Sequence, residues 1–449
     1  MNSMSYSSIL PVLEKFYMDS SHLLNRKSLH IKIPANERTP DIRISYTESY
    51  KMKEPNFNVT LYNIIVKYKT LLDDKKINSK WSRLKLFTNL FELISYNNST
   101  NNITSIIDYI PLSRAYFKFQ EMIVEHKLIT NTTPSIRYVG LAEGPGGFVE
   151  CFINHRRSYF NKTHDYIYCI TLKESTTGKH TPIYSDKSQK SPHLSNNVVP
   201  EWNKIKKLLS ERKNTKADIV LSYGKDGTGN LYNLDNIKYF RKEVLDNGGK
   251  VDLVSGDGGL DYTINFNCQE QMSFHLIFCE IVSAFSVLKT GGSFVLKIFD
   301  IHTSITLQII YLLANYFDEL IITKPYSSRP ANSEKYLVCK GFTGVTDAYL
   351  DVLYSIVDRW DITEKTRKYV DNLFGIKVPP YFKKNIMNYC NYISRFQIQN
   401  IIKTILSRNF NKQQIDSLLR TQIVHSIYWA IKYKQPLNFK SPFFKAFQG

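Results

Sequence analysis

The chain has 449 residues, of which 43% are hydrophobic and 13% aromatic, enough to bury a large core in two or three domains. That composition excludes global disorder. Lys and Arg outnumber Asp and Glu by 59 to 40, and the formal net charge of +19 points to a polyanionic partner, most simply nucleic acid.

Cys151, Cys169, Cys268, Cys279, Cys339 and Cys390 form no CxxC pair. Neither a disulfide framework nor a Cys-rich zinc site is expected, and a reducing compartment fits. The histidines include no HExxH, and no metal is expected. The N-terminal stretch lacks a basic segment followed by an apolar one, so no secretory signal is expected. The most apolar windows, Phe274–Leu288 and Ile305–Phe317, are too short to span a bilayer and read as core helices.

Residues 1–105 read as a mostly helical N-terminal extension. Within it, Trp81, Leu84, Leu86, Phe87, Leu90, Phe91 and Leu93 approach helical spacing, and Asn97–Asn102 reads as a loop. From 106 to 345 the texture changes to strands alternating with helices. The β-rich runs are Ile136–Ala142, Tyr166–Leu172, Val251–Ser255, Ser293–Phe299, Leu320–Thr323 and Lys335–Cys339. Helical stretches lie at Phe148–His155, Gln271–Leu288 and Ser304–Asn315. This alternation predicts an α/β fold with a mostly parallel sheet. The polar stretch Lys173–Trp202, with Pro182, Pro192 and Pro200, reads as a long insertion. Residues 346–449 read as a basic, mostly helical C-terminal region. From Asn372 onward it carries twelve Lys or Arg and one acid, Asp416, interleaved with Tyr381, Phe382, Tyr389, Tyr392, Phe396, Tyr428 and Trp429. Two readings stand: a bundle whose aromatics are core, or a face that binds nucleic acid.

The run Leu141-Ala142-Glu143-Gly144-Pro145-Gly146-Gly147-Phe148 follows a predicted strand and opens a predicted helix. Its glycines allow a ligand close to the backbone at a helix N-terminus. It matches neither GxGxxG nor the phosphate-binding loop with its lysine. A nucleoside ligand without phosphate, such as S-adenosylmethionine, fits that departure.

Three later segments end or begin strands with charged residues: Ser255-Gly256-Asp257-Gly258-Gly259, Gly291–Asp300 with Lys297 inside an apolar run, and Ser327–Tyr336 with Glu334 before the last strand. Upstream, Ser113–Lys118 lies on a predicted helix. Singly, Lys297 reads as a snorkelling surface lysine, Asp257 as a turn acid and Glu334 as a salt-bridge partner. Together with Lys118 they suggest a Lys–Asp–Lys–Glu tetrad at the carboxyl edge of an open sheet, where such folds bind ligands. A ribose 2′-hydroxyl needs a base to take its proton, and a lysine can serve once burial and a neighbouring cation lower its pKa.

These motifs, in the order SRAYFK, EGPGGF, ITLK, DGTGNL, SGDGG, TGGSFVLKIFD and KPYSSRPANSEKYLVCKGF, resemble the cap-specific mRNA nucleoside 2′-O-methyltransferases of the FtsJ/RrmJ-like class. The resemblance covers about Pro111 to Phe342. It implies a Rossmann-like S-adenosylmethionine-dependent methyltransferase core with a mostly parallel seven-stranded sheet, and capped mRNA as partner. It implies Lys297 as general base, with Lys118, Asp257 and Glu334 completing the tetrad. It places S-adenosylmethionine on Gly144, Pro145, Gly146, Gly147 and Phe148, with Ser113, Asn230, Leu231 and Asp257 as further contacts. Asn267 and Asn332 match positions that face the RNA. Two positions depart: the family often has Asn at 113 and Asp at 230, where this chain has Ser113 and Asn230, so an acid that would bind ribose or adenine is missing. The alternatives are 2′-O-methylation of an internal rRNA or tRNA site, and a catalytically silent RNA-binding subunit of a capping complex or virion. Frequent Asn, Ile, Lys and Tyr suggest an AT-rich genome and, with the divergent flanks, a large DNA virus. Location in the cytoplasm, virion or viral factory would follow, with the nucleus as the alternative.

Overall fold

The computed structural model describes residues 26–39, 44, 46–49, 51–71, 84, 86, 88–95, 105–129, 133–159, 163–173, 205, 207, 215–260, 266–360, 369–373 and 378–445. The expected loop at Asn97–Asn102 and the expected insertion at Lys173–Trp202 lie outside them, apart from Lys173.

In chain order the elements are β1 (Leu29–Ile31), β2 (Thr47–Ser49), α1 (Val59–Thr70), α2 (Ala115–Glu125), β3 (Arg137–Leu141), α3 (Gly147–Tyr159), β4 (Thr163–Ile170), β5 (Thr215–Ser222), α4 (Leu234–Asp246), β6 (Val251–Gly256), α5 (Gln269–Val287) and β7 (Leu288–Ile298). They continue with α6 (Ser304–Tyr316), β8 (Phe317–Thr323), β9 (Lys335–Phe342), α7 (Asp347–Arg359), β10 (Tyr369–Asn372), α8 (Pro380–Leu406), α9 (Lys412–Lys432) and α10 (Pro442–Lys445). The expected strands and helices between 136 and 342 fall on these elements within a few residues at each end. Leu84, Leu86 and Thr88 are helical, but the pattern expected through Leu93 ends there, and Glu92–Ile94 form a 3₁₀ turn.

The main sheet has eight strands in the order β1-β8-β9-β7-β6-β3-β4-β5. Strands β7, β6, β3, β4 and β5 pair in parallel. Strand β9 runs antiparallel between β7 and β8, so β8 points with the parallel set. The sheet is therefore mostly parallel, as expected, but it has eight strands rather than seven. The addition is β1, which pairs antiparallel with the edge strand β8. Three residues carry too little alternation to be read as a strand until a partner edge is known. Strands β2 and β10 form a separate two-stranded pair.

Strand alternation divides the core between the two faces. On one face Val254, Phe294, Leu296, Leu337 and Cys339 meet α1 and α4 to α8. On the other, Leu253, Val295, Tyr336 and Val338 meet α2, α3 and α9. Residues before 106 and after 345 join both cores: Ile31 and Leu61 with Tyr349 and Phe382 on the first, and Phe91 and Ile94 with Trp429 and Phe444 on the second. Among the described residues no helix is long and apolar enough to cross a membrane.

One buried ion pair ties α3 to the sheet. Arg156 donates to both oxygens of Asp165 at 2.9 and 2.8 Å, and Asp165 also accepts the Ile136 N–H at 2.9 Å. Both side chains are excluded from water. Asp165→Ala strands a buried guanidinium and a backbone N–H together. We expect it to lower unfolding free energy by about 3–5 kcal/mol, read from urea denaturation.

Candidate active site

Loops following β3, β4, β5, β6 and β7 all emerge at the carboxyl edge of the sheet, the edge where open α/β folds bind ligands. The segment after β3 turns directly into α3. Gly146 there has φ of +103°, and a side chain at Gly147 would start 2.3 Å from the Ser113 Oγ. That close approach brings Ser113, just before α2, against the first residue of α3.

Glu143 closes this turn. Its Oε1 accepts the N–H groups of Phe148 and Val149 at 2.9 and 3.1 Å, so a carboxyl occupies the helix N-terminus. Its Oε2 is buried and has no hydrogen-bond partner among the described residues. Burial pushes the Glu143 carboxyl up to about 8, despite its two donors, with Asp257 adding to the rise. A pyrophosphate would face this carboxyl instead of free N–H groups, so the turn suits a ligand without phosphate.

The four charged residues expected to form a tetrad come together beside this turn. Lys118 on α2 donates to Glu334 Oε2 at 2.8 Å. Lys297 on β7 donates to the Asp257 carbonyl at 2.7 Å and lies 3.2 Å from its Oδ1. The Lys297 side chain is 11% exposed, so it is not the snorkelling surface lysine that its position alone would suggest. Alternation explains its aim: Phe294, Leu296 and Ile298 turn to one face, and Lys297 turns with Val295 to the face that carries α2. Glu334 precedes β9, which pairs with β7 in a register that sets Lys297 opposite Tyr336. Burial alone would raise the Glu334 carboxyl, but Lys118, Lys297 and Lys324 hold it down at about 2.

Several partners of this set had no separate signal in the sequence. Tyr336 donates to Asp257 Oδ1 at 2.9 Å; burial, then the Asp257 charge, hold its phenol well above the ordinary range, so it remains a donor. Glu280 on α5 accepts the Gly258 N–H at 3.0 Å, and burial pushes its carboxyl up to about 8 against the pull of Lys297. Side chains at Gly256 and Gly258 would meet this carboxyl at 2.9 and 2.6 Å, which is why glycine stands on both sides of Asp257. Lys324 donates to the Glu334 carbonyl at 2.8 Å and to the Asn332 carbonyl at 3.0 Å; burial, then Lys335, push its ammonium well below the ordinary range. Only the chemical misfit of these residues with their apolar neighbours could have flagged them.

The remaining expected residues divide. Gly144, Pro145 and the buried Phe148 belong to the turn described above. Asn230 lies in the loop after β5, tied to the end of β4 by the Lys173 N–H on the Thr228 carbonyl at 2.7 Å. Its Oδ1 accepts the Tyr232 N–H at 3.0 Å, a local turn contact, and Leu231 is buried in the core. Asn332 is exposed on the segment leading to Glu334, and its Oδ1 is held by Lys324. Asn267 sits in the turn before α5; Ser333, next to Asn332, donates to Gln269 at 2.7 Å, which brings the two asparagine segments together.

The family model described as FtsJ-like methyltransferase matches residues 111–342, just over half of the chain. The chain therefore belongs to the FtsJ-like methyltransferase family, whose members use S-adenosylmethionine. The mouse protein "Cap-specific mRNA (nucleoside-2'-O-)-methyltransferase 1" is 42% identical over 135 residues, 30% of this chain and 16% of that protein. Its Dictyostelium discoideum namesake is 40% identical over 127 residues, 28% of this chain and 17% of that one. The mouse "Cap-specific mRNA (nucleoside-2'-O-)-methyltransferase 2" is 28% identical over 367 residues, 80% of this chain and 43% of that protein. The chain thus spans less than half the length of these relatives.

The Glu143 carboxyl gives a pH test. Its folded value near 8 lies above its ordinary 4.5, so the folded state keeps a proton that the unfolded state releases. This contribution destabilises the fold progressively as pH rises from about 4.5 to 8. Glu143→Gln keeps an acceptor for the two N–H groups and removes the titration. Between pH 5 and 8 the variant should gain on the order of 3 kcal/mol relative to the parent, read from paired urea titrations. A constant difference across that range would show that Glu143 is not held protonated.

Proposed function

We propose that this chain transfers a methyl group to the ribose 2′-hydroxyl of the first or second transcribed nucleotide of capped mRNA. The observation that carries this reading is the pair of buried lysine–carboxylate contacts, Lys118–Glu334 and Lys297–Asp257, beside the glycine turn. The names of the relatives supply the substrate class. S-adenosylmethionine, when bound, supplies a methyl group already activated on a sulfonium. Gly144, Gly146, Gly147 and Phe148 with Ser113 and Leu231 would hold it, and the Asp257 carboxylate suits its positive charge.

The chain's own task is to position the 2′-hydroxyl and take its proton. Lys297 rests as an ion pair with Asp257; it first releases a proton to solvent, and its Nζ then accepts the proton of the 2′-hydroxyl. Asp257 fixes Lys297 through two contacts, and Tyr336 holds the Asp257 carboxylate in turn. Lys118, paired with Glu334, orients the nucleophile from the α2 side. Asn332 and Asn267 stand where the RNA would approach. Positioning two reactants this way, together with general base catalysis, accounts for the rate without covalent chemistry on the enzyme.

Lys297→Ala should bind S-adenosylmethionine within about threefold of the parent by titration calorimetry and lose transfer by about 10²–10⁴-fold. Transfer of label from S-adenosylmethionine to short RNA, followed by nuclease mapping, checks both the variant and the substrate. Label on the 2′-oxygen of the first or second nucleotide, dependent on the cap, is the expected outcome. Equal labelling of capped and uncapped RNA would instead favour an internal RNA site.

A further inference from the structure

A cavity of about 650 Å³ lies beside the candidate active site, and none of the tetrad lines it. One wall is α8, which contributes Tyr392, Arg395, Phe396 and Lys403; Arg26 and Pro330 close other sides. Arg26, Arg395 and Lys403 give the lining three cations, and no acid lines it. Over its 27 residues α8 itself carries Lys383, Lys384, Arg395 and Lys403 and no acid.

Two of these cations are not spent on local pairing. Among the described residues neither Arg395 nor Lys403 has an ion-pair partner. Arg26 hydrogen-bonds to the carbonyls of Pro325 and Ser328, and its guanidinium lies over the Phe396 ring at 4.9 Å. The aromatics of the same helix divide by role. Phe382 and Tyr389 are buried in the core, while Tyr392 and Phe396 are half-buried and face the cavity.

The cavity is joined to the reacting groups by one short segment. Pro330 lines it, and Gln397 of α8 donates to the Ala331 carbonyl at 3.2 Å. Asn332 and Glu334 follow within four residues on the same strand of chain. An RNA lying over Asn332 therefore meets this cavity next.

We infer that the cavity receives a nucleotide of the transcript body, with its two flanking phosphates against Arg395 and Lys403 and a base against Tyr392 and Phe396. Cations combined with aromatic faces are the chemistry that holds single-stranded nucleic acid without reading its sequence. A cap 7-methylguanine shares the phosphate and ring chemistry but carries its own positive charge. Three cations without an acid disfavour that group and favour an ordinary base. The inference rests on the reading of RNA as substrate, and it extends that reading to where the strand runs.

The test uses binding, so it stands apart from methyl transfer. The full chain and its Arg395→Ala/Lys403→Ala variant are titrated with a labelled RNA of about ten nucleotides, capped or uncapped, at several salt concentrations. The variant should bind both RNAs about tenfold more weakly at about 0.1 M salt. Its slope of log K against log salt should be shallower by about 1.4, from two phosphate contacts at about 0.7 each. Photocrosslinking of the unaltered protein with 5-iodouridine RNA supplies a second measurement, and label should appear in the tryptic peptides of α8. An unchanged slope, a loss confined to capped RNA, or crosslinks that avoid α8 would each overturn the inference. Failure of methyl transfer with these results intact would reject the proposed activity and leave the RNA site standing.

Discussion

The site is governed by charge balance in a place with little water. Three lysines and four acids meet at one edge of the sheet: Lys118, Lys297 and Lys324, with Glu143, Asp257, Glu280 and Glu334. Seven uncompensated charges could not be buried there, because desolvation would cost several kcal/mol for each unpaired ion. The structure resolves this in two ways. Lys118 pairs with Glu334, and Lys297 with Asp257. The others are pushed toward their neutral forms: Glu143 and Glu280 to about 8, and Lys324 well below the ordinary lysine range. Two ion pairs and three groups biased to neutrality leave the site near zero charge. A proton moved onto or off one member is then felt by all of them, which is the condition under which a lysine can be tuned as a base.

This balance depends on where the chain puts four residues from distant segments. Sheet register sets Lys297 opposite Tyr336 and so brings β7 and the start of β9 side by side. Helix α2 then grips the segment before β9 at two points. Lys118 holds Glu334, and Glu121, three residues on and on the same helix face, accepts the N–H groups of Tyr326 and Ser327. Glu121 is buried and also accepts the Trp429 indole at 2.8 Å, which ties α9 into the same anchor. Without α2, Glu334 would lose its Lys118 partner, and the segment that carries it would lose its anchor on Glu121.

The sequence made β3, β4, β6 to β9, α3, α5 and α6 legible, together with the four charges that cluster, Lys118, Asp257, Lys297 and Glu334, but not β5 or α4. The reason is that each of those signals is local: period-two runs, apolar helices, and a polar residue in an apolar or glycine-rich setting. Much of what stayed hidden was non-local. Strand β1 is defined only by its pairing with β8, some 290 residues away. Glu280 had no signal of its own, because its partner is the backbone N–H 22 residues earlier. The aromatics of the tail were open to two readings, and the structure divides them residue by residue: Phe382, Tyr389 and Trp429 are core, and Tyr392 and Phe396 line a cavity. Composition could not make that division, since a helix with both faces in use shows no single stripe.

The segment from 324 to 334 shows why the flanks matter to the chemistry. It lies inside the family-matched residues, yet several of its holders lie outside them. Arg26 reaches it from the N-terminal side, Glu92 pairs with its Arg329 at 3.0 Å, and Gln397 holds Ala331 from α8. Lys118, Asp257, Lys297 and Glu334 all lie inside the matched residues, while the segment that carries Glu334 is held from outside them. A shift of about 1 Å in this segment would move Glu334 and Asn332 together, and misplacement on that scale costs a positioned reaction on the order of 10²-fold. Residues outside the family match thus bear directly on the geometry of residues inside it.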